Sequence, residues 1–264
     1  MKDLPKQEII ELIRAAPNTK PTERITYRGF SICAVMASWN EAGKVEKGVK
    51  QVPRNIVDTI VVVNNGSEDN TAQLAKEAGA VVINHPFNLG AGGGYRSGFI
   101  YGFMNKFDLI VELAGDNQDD PSDIGRVVDY LIDNRMDYVH GSRWLKYGQQ
   151  VNMPLSRIVL TKFYSFLFRF FFKKKITDAT NGFRVFKASI LNNRKINLWQ
   201  QWLIQYELEP YLLIKSVQLG YRVGETHVKK KYHVEMKSNT KMVPIKSWFS
   251  ILRPLFILKM FPSK

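Results

Sequence analysis

The chain of 264 residues has a single cysteine and no long uncharged apolar run. Cys33 has no intrachain partner for a disulfide, so the fold has to rest on its hydrophobic core, and a reducing compartment suits it. No stretch of 18 uncharged apolar residues occurs, which predicts that no segment crosses a bilayer. Residues 1–24 are rich in Lys, Glu and Pro and lack the apolar centre of a signal peptide. We therefore expect a cytoplasmic protein.

Signatures of three familiar kinds of site are also missing. The glycine cluster at residues 90–94 begins like a dinucleotide fingerprint, but Tyr95 stands where the third glycine is required. No Gly-x-x-x-x-Gly-Lys-Ser/Thr loop is present, and the four histidines show no metal-ligand spacing. These absences argue against a dehydrogenase, a nucleoside triphosphatase and a histidine-based metal centre. The glycine cluster itself has two interpretations, namely close approach of a ligand to the backbone or packing of a helix on a sheet.

Charge is distributed unevenly along the chain. Residues 1–142 carry 15 Lys and Arg against 19 Asp and Glu, a net charge of −4, whereas residues 143–264 carry 23 against 5, a net charge of +18. A basic half of this kind suits nucleic acid, an anionic membrane surface or a phosphorylated substrate. Because no helix-turn-helix, zinc-finger or RNA-binding signature accompanies the charge, we expect no nucleic-acid partner.

Apolar runs alternate with helix patterns through the first half of the chain. Strands are predicted at residues 30–37, 57–63 and 80–84 and from residue 109, with helices between them. This alternation predicts an α/β fold with a doubly wound, mostly parallel sheet flanked by helices. In the second half we predict strands at 137–141 and 222–228 and helices at 156–172, 203–219 and 245–261.

The strand that starts at residue 109 ends in acids and an amide. The carboxyl ends of strands are where open α/β sheets bind ligands. Asp116 and Gln118 are two residues apart, so they share a face on an extended chain, and their oxygens suit Mg²⁺ or Mn²⁺. We predict a metal site there that holds a diphosphate. The turn and helix cap that follow are assigned to Asp119, Asp120 and Ser122.

Six short motifs occur in an order typical of one enzyme family. Over roughly residues 30–235 the chain resembles the inverting family 2 glycosyltransferases of GT-A fold, and within them the dolichol- and polyprenyl-phosphate sugar transferases. The motifs are SWNE at 38–41, NNGSEDNT at 64–71, NLG at 88–90, GDNQDDP at 115–121, GSR at 141–143 and TDATNGFR at 177–184.

The resemblance implies that a sugar moves from a nucleotide diphosphate sugar, with inversion, to a polyprenyl phosphate of dolichyl or undecaprenyl type, in the synthesis of cell-envelope polysaccharide. It implies Mg²⁺ or Mn²⁺ on Asp116 and Gln118. It also implies an N-terminal extension (1–28), a nucleotide-sugar-binding half (29–142), an acceptor half (143–235) and a basic amphipathic C-terminal segment (236–264). The implied nucleotide-sugar site consists of Ser38, Asn40, Glu41, Asn65, Ser67, Asn88, Gly90, Gly115, Asp116 and Arg143.

Three acids that are usual in the family are replaced in this chain. Asn64 and Asn65 stand where the family has an acidic pair, and Ala114 stands in place of the first acid of the metal motif. The nucleotide pocket is therefore less negative than usual, and Asp116 is the carboxylate that remains for the ion. A noncatalytic module that binds a sugar nucleotide or a lipid headgroup is a second interpretation of the same replacements.

Catalysis is assigned to Asp116, Asp178, Arg184 and Glu207. A polyprenyl phosphate arrives ionised and needs cations instead of a base, so Arg184 is predicted to grip two phosphate oxygens while Asp178 orients it or caps the loop. A structural salt bridge between Asp178 and Arg184 is the alternative. The alternative acceptor, a sugar hydroxyl of a glycan or of a lipid-linked saccharide, needs a general base, for which Glu207 and Asp178 are the candidates. The cations predicted to assist Arg184 at the acceptor are Arg143, Lys229, Lys230 and Lys231.

Two predicted helices combine aromatic residues with a basic fringe. The helices at 156–172 and 245–261 are predicted to lie in the headgroup region of an anionic membrane, which places the protein on the cytoplasmic face as a peripheral protein. For the first of them a core helix with snorkelling cations is the alternative. The lysine-rich residues 229–231 and 237–241 have two interpretations, namely a mobile loop over the donor site or a solvated run of charge, which is the commoner case.

Overall fold

The computed structural model describes residues 4–18, 23–232 and 244–264. Its helices are α1 (Lys6–Ala15), α2 (Val45–Gln51), α3 (Thr71–Glu77), α4 (Gly90–Met104), α5 (Ile124–Asp133), α6 (Leu155–Phe172), α7 (Leu208–Gln218) and α8 (Pro244–Met260). Its strands are β1 (Ile32–Ser38), β2 (Thr59–Asn64), β3 (Val81–Asn84), β4 (Leu109–Ala114), β5 (Tyr138–Ser142), β6 (Gln149–Val151), β7 (Arg184–Lys187), β8 (Val223–His227) and β9 (Lys229–Lys231).

Seven of these strands form one sheet in the order β3-β2-β1-β4-β7-β5-β8. The first four are parallel, as the alternation of strands and helices predicts. Ala37 of β1 lies opposite both Val63 of β2 and Ala114 of β4, so the loops that follow these three strands meet at one edge of the sheet. Apolar residues pack on both faces of the sheet and form two buried clusters.

Strand β7 lies in the middle of this sheet and was not predicted. It runs antiparallel to both β4 and β5, with Arg184 opposite Glu112 on one side and His140 on the other. Its four residues follow a polar motif and contain only two consecutive apolar side chains, Val185 and Phe186. Such a short run gives no periodicity from which a central strand can be predicted.

The lysine run at 229–231 is a strand, so the prediction of a mobile loop is wrong there. Strand β9 pairs in parallel with β6 to form a separate two-stranded sheet. Alternation along the strand buries Lys230 and leaves Lys229 and Lys231 exposed. Residues 237–241, the other part of that prediction, lie outside the described residues.

The glycine-rich helix α4 packs closely on the sheet. A Cβ atom at Gly94, Gly98 or Gly102 would meet the side chains of Ala37, Val35 and Ile110 at 3.0 Å or less, and these lie on β1 and β4. The three glycines are four residues apart and therefore share one face of the helix. For these glycines, the structure favours packing of a helix on a sheet over ligand contact.

Both ends of the chain contribute to the core. Ile9 and Ile13 of α1, from the predicted N-terminal extension, are buried in the same cluster as Leu255 and Leu258 of α8, from the predicted C-terminal segment. The domain boundaries given above stay predictions. Over the part of the chain that the structure describes, no helix has the length and apolar character needed to span a membrane.

Candidate active site

The carboxyl ends of β1, β2 and β4 open into a cavity of about 630 Å³, a size typical of ligand sites. We call its two sides the donor wall and the acceptor wall. The donor wall contains Ala37, Ser38, Trp39, Glu41, Asn65, Asn88, Gly90, Ala91, Tyr95, Ala114, Gly115, Asp116 and Gln118. The acceptor wall contains Arg143, Met153, Arg157, Thr161, Ala179, Thr180, Gly182, Arg184, Gln205, Tyr206, Glu209, Pro210, Lys230, Tyr232, Trp248 and Ile251.

Two residues predicted to bind the nucleotide sugar instead join loops to each other. The backbone N–H of Asn40 donates to Ser67 Oγ at 2.9 Å, and Asn40 Oδ1 accepts from the backbone N–H of Glu68 at 2.9 Å. Neither Asn40 nor Ser67 is among the residues that line the cavity. Their hydrogen bonds hold the loops after β1 and β2 side by side.

Asn65 fixes the loop that leads into α4. Its Oδ1 accepts from the N–H of Leu89 at 3.0 Å, and its Nδ2 donates to Asn88 Oδ1 at 3.1 Å and to the Gly90 carbonyl at 2.9 Å. An aspartate could accept the first of these bonds but could not donate the other two. An amide at a position where the resemblance implies an acid is therefore matched to its surroundings.

His85 lies behind Asn65 and is buried. Its Nδ1 is 2.8 Å from Asn65 Oδ1, and its Nε2 is 2.9 Å from Ser97 Oγ. Burial, with a smaller contribution from the positive charge of Arg96, lowers the pKa of His85 to about 4. The imidazole is therefore neutral near pH 7 and completes the hydrogen bonds that support the donor wall.

In the first turn of α4, two backbone N–H groups donate hydrogen bonds to carbonyl groups of the protein. The N–H of Gly92 donates to the Gln205 carbonyl at 2.6 Å, and the N–H of Gly93 donates to the Ile204 carbonyl at 3.3 Å. At these two positions the helix start packs against another segment instead of offering a phosphate cradle. Gly90 lines the cavity, as predicted for the nucleotide-sugar site.

Asp116 and Gln118 both line the donor wall, and Asp116 Oδ1 accepts from the N–H of Gln118 at 3.1 Å. Burial raises the pKa of Asp116, and the nearby ammonium of Lys230 opposes that shift. Among the described residues no group of three or more His, Cys, Asp or Glu side chains could hold an ion. Two oxygen donors nevertheless fit Mg²⁺ or Mn²⁺, because such ions take further ligands from diphosphate and water.

The hydroxyl of Ser38, at the carboxyl end of β1, has no hydrogen-bond partner among the described residues. Its Oγ is buried, makes no hydrogen bond there and belongs to a residue that lines the cavity beside Gly115. Buried polar atoms in folded proteins are nearly always hydrogen-bonded. The place of Ser38 in the nucleotide-sugar site stays a prediction.

Of the three lysines predicted to bind the acceptor, only Lys230 faces the cavity. Its Nζ lies 2.7 Å from Asp119 Oδ1, and Asp119 Oδ2 accepts from the N–H of Ala114 at 2.8 Å. The prediction for Lys229 and Lys231 is not supported, because both point to the exposed face of β9. Asp119, which was assigned to a turn, is a buried partner in an ion pair.

Arg143 and Asp178 form a two-pronged ion pair. Nε and Nη2 of Arg143 lie 2.7 Å from the two carboxylate oxygens of Asp178, and Arg143 Nη1 donates to the Tyr232 hydroxyl at 2.5 Å. Burial alone would raise the pKa of Asp178, but the guanidinium of Arg143 holds this pKa below its usual value. Asp178 therefore orients Arg143 and not Arg184. It is also fully buried and paired, which contradicts its role as a general base.

The phosphate grip predicted for Arg184 is contradicted by its contacts. All five of its N–H groups are used by protein acceptors, which are the Gly182 carbonyl, the Tyr138 hydroxyl, the Asn181 carbonyl, and both the carbonyl and a carboxylate oxygen of Glu209. Its side chain is 2% exposed. No N–H remains for a phosphate, so Arg184 organises the floor of the acceptor wall.

Glu207 does not line the cavity, which contradicts its assignment as a catalytic base. Its Oε2 accepts from the N–H of Gln205 at 2.8 Å, and its Oε1 lies 4.0 Å from Arg253 Nη1. Glu209, two residues later, lines the cavity instead. Its carboxylate accepts from Arg184, so it supports the floor of the same wall.

The sequence analysis missed Arg157 as a site residue. It lies in α6, faces the cavity together with Thr161, and holds its guanidinium 5.5 Å from the ring centre of Tyr232. Two polar residues four positions apart in an aromatic helix share one face. That spacing was the available signal, and it was masked by the other cations of the same helix.

A mostly parallel sheet with a polar cleft at its carboxyl edge is the architecture of the GT-A nucleotide-sugar transferases. The model of the family described as "Glycosyl transferase family 2" matches residues 33–194. The chain belongs to this family and is a glycosyltransferase. The predicted family and fold class are thereby confirmed.

Several relatives have names that specify a lipid phosphate. The UDP-N-acetylglucosamine–dolichyl-phosphate N-acetylglucosaminyltransferase of Methanococcus voltae is 27% identical over 87% of this chain and 96% of its own length. The polyprenol monophosphomannose synthase of Mycolicibacterium smegmatis is 32% identical over 64% of this chain and 65% of its own length. Glucosyl-3-phosphoglycerate synthase from Mycobacterium tuberculosis, solved with Mn²⁺, UDP and glucosyl-3-phosphoglycerate, superposes with a TM-score of 0.65 at 17% identity, covering all of this chain and 86% of that one.

Proposed function

We propose that the protein transfers a sugar from a nucleoside diphosphate sugar to a polyprenyl phosphate, with inversion at the anomeric carbon. The observation that carries this proposal is the placement of Asp116, Arg143, Arg157 and Lys230 around one cavity. An acid with a neighbouring amide suits a metal-bound diphosphate, and guanidinium groups suit a second phosphate. The relatives named for dolichyl or polyprenyl phosphate support the same acceptor class.

On the donor wall, Asp116 and Gln118 would hold Mg²⁺ or Mn²⁺. When bound, such an ion acts as a Lewis acid that neutralises charge on the leaving diphosphate. Ser38 and Gly115 lie beside them, and a side chain at Gly115 would collide with Ser38. The missing side chain at Gly115 therefore lets the end of β4 lie close to the end of β1.

The pairing of the carboxylates near the acceptor wall supports an acceptor that is already ionised. Asp178 is locked to Arg143, Glu207 lies outside the cavity and Glu209 is bonded to Arg184. A neutral hydroxyl acceptor would need one of these carboxylates to take its proton. An ionised lipid phosphate needs no base, and Arg157 replaces Arg184 as the residue that we assign to its oxygens.

We further propose that the protein lies on an anionic membrane surface at the cytoplasmic face. The helices α6 and α8 contact each other, and Phe171 and Phe256 meet with ring centres 5.6 Å apart. Large apolar side chains with a basic fringe suit the headgroup region. The exposed apolar residues on and near these helices are Leu155, Val159, Phe163, Phe166, Phe170, Phe249, Phe256, Met260 and Phe261.

The same two helices also line the cavity, which supports the lipid acceptor. Arg157 and Thr161 of α6 and Trp248 and Ile251 of α8 face inward. A lipid phosphate could therefore reach Arg157 while its polyprenyl chain stays in the bilayer beneath the exposed aromatic face.

Transfer assays test the acceptor class. We expect purified protein with Mn²⁺ and UDP- or GDP-linked sugars to glycosylate undecaprenyl phosphate in vesicles and to leave undecaprenol, its neutral counterpart, unchanged. Equal transfer to undecaprenol would contradict the proposal. Absence of turnover with every donor and acceptor would favour the noncatalytic binding module.

Vesicle sedimentation tests the membrane surface. We expect binding to anionic vesicles that weakens as salt rises, because exposed charges are screened. Phe166→Ser with Phe249→Ser should reduce binding, whereas Ile25→Ser, a change at an apolar residue that is 55% exposed outside these helices, should not. Equal binding by the double variant and the wild type would contradict the assignment of this face.

A further inference from the structure

We propose that Lys230 is a built-in cation of the donor site, which binds the diphosphate of the donor beside the divalent ion and partly in its place. This inference rests on the proposed nucleotide-sugar donor. It starts from the small number of protein ligands on the donor wall, where Asp116 and Gln118 are the only two that we assign to the ion.

The backbone around Lys230 is fastened to the segment that carries Asp116. The N–H of Lys231 donates to the Gln118 carbonyl at 2.8 Å, and the N–H of Lys229 donates to Asp123 Oδ2 at 2.7 Å. Asp119 and Lys230 are also paired as an isolated antiparallel bridge. Strand β9 is therefore held along the loop after β4, and Lys230 is placed beside the ligands of the ion.

The ammonium of Lys230 keeps donor capacity in the cavity. Its bond to Asp119 Oδ1 uses one of three N–H groups, and the side chain, which is 10% exposed, lines the cavity. Burial alone would lower the pKa of Lys230, but the charge of Asp119, assisted by Asp116, raises it above the usual value. The group is therefore charged at neutral pH.

The charges on the donor wall explain why a cation is needed there. A nucleoside diphosphate would bring at least two negative charges close to the carboxylates of Asp116 and Asp119. In a partly buried site such repulsion is only weakly screened by water. A fixed ammonium reduces this repulsion and needs no reorganisation when the ligand arrives. Asp119 holds the ammonium in position, because its other oxygen is bound to the N–H of Ala114.

Titration calorimetry of the full-length protein with UDP and with GDP tests the inference. The wild type should bind at least one nucleotide in EDTA, and more tightly in Mn²⁺. Lys230→Met should weaken binding in EDTA by about tenfold or more, the size expected for one hydrogen bond to a charged group, and less in Mn²⁺. Lys231→Met is the matched control, because it removes the same charge from the exposed face of β9 and should change binding less than about twofold.

A second pair of variants separates ligand binding from folding. Lys230→Met leaves Asp119 buried without its partner, so its thermal midpoint should fall, and Lys230→Met with Asp119→Asn should recover part of that midpoint. Because the second change also removes one of the carboxylates that repel the diphosphate, the double variant should recover at most part of the binding in EDTA. Lys230→Arg should keep binding in EDTA. Binding in EDTA by Lys230→Met that equals the wild type would overturn the inference, and so would wild-type binding that appears only with Mn²⁺. Failure to bind either nucleotide in both conditions would instead contradict the proposed donor.

Discussion

The two walls of the cavity are built in different ways. The donor wall comes from loops that follow successive parallel strands, and side chains such as Asn65 join those loops to each other. The acceptor wall is assembled from α6, the start of α7, β9 and α8, which are distant in sequence. The residues of the donor wall therefore lie in short sequence motifs, whereas the residues of the acceptor wall are brought together by tertiary contacts.

The two buried arginines of the acceptor wall show the same contrast. Both line the cavity, but Arg143 gives four of its five side-chain N–H groups to Asp178, Tyr232 and Thr180, whereas Arg184 gives all five to protein acceptors. Both residues lie in motifs that carry the family resemblance, and both are basic. The two guanidinium groups therefore differ in the number of N–H groups that stay open to a ligand.

The largest expected effect follows from this difference. Arg184→Met should lower the free energy of unfolding by about 3–5 kcal/mol, because Glu209 and the carbonyls around it lose a buried charged partner. Urea denaturation measures it, with Arg157→Met as the matched control that should stay close to the wild type. A stable Arg184→Met variant that loses only acceptor affinity would assign Arg184 to phosphate binding after all.

The donor wall should be most sensitive at Asp116. Asp116→Ala should reduce transfer by about 10²–10³-fold, the range found when one contact to developing charge is removed. Its thermal midpoint should stay near that of the wild type, because the side chain lies at a strand end. Asp120→Ala, in the same loop but outside the cavity, should transfer normally. A full wild-type rate in EDTA would be incompatible with this role.

His85 predicts a pH dependence of the donor wall. Its folded pKa of about 4 lies below the usual value of 6.5, so the unfolded chain takes up a proton first as pH falls. Stability is therefore lost between about pH 6.5 and pH 4, by roughly 3 kcal/mol from this group. Urea denaturation at pH 7, 5 and 4 should show a shallower loss for His85→Gln. His140, whose pKa burial lowers to about 3, adds a loss of the same sign that the variant retains. An unchanged slope would show that His85 is not buried in its neutral form.

The smallest expected effect sharpens the assignment of the acceptor wall. Arg157→Met should raise the KM for polyprenyl phosphate by about 10- to 100-fold, the worth of one charged hydrogen bond, while the affinity for the donor stays constant. Lys162→Met removes a charge from an exposed position of the same helix and should leave that KM unchanged. If both variants lose acceptor affinity equally, the helix attracts the lipid by its overall charge alone.

Much of the fold and of the donor wall could be predicted from the sequence. The sequence predicts the four parallel strands from their apolar runs. Because each motif directly follows such a run, the sequence also places four residues at the edge of the sheet, namely Ser38, Asn65, Asp116 and Gln118. The acceptor wall could not be predicted to the same degree. Strand β7 is too short to show periodicity, and two of the residues that accept from Arg184, Tyr138 of β5 and Glu209 of α7, are distant from it in sequence.

The run of lysines at 229–231 shows a second limit of prediction from the sequence. The sequence does not distinguish the three consecutive lysines from one another, whereas the strand alternation buries Lys230 and turns Lys229 and Lys231 to solvent. The ion pair with Asp119 spans 111 residues of sequence and left no local signal. Ion pairs between residues that are distant in sequence are therefore the part of this site that only the structure reveals.

The central claim, that a sugar leaves a nucleoside diphosphate for a lipid phosphate held by the acceptor wall, is tested most directly by the products of one reaction. Mass spectrometry should be applied to the lipid and nucleotide formed from a UDP- or GDP-linked sugar and undecaprenyl phosphate in vesicles. We predict a lipid that carries the sugar on a single phosphate, together with an equal amount of nucleoside diphosphate. A lipid with two phosphates and release of nucleoside monophosphate would contradict the account, because the phosphate and not the anomeric carbon would then have been attacked.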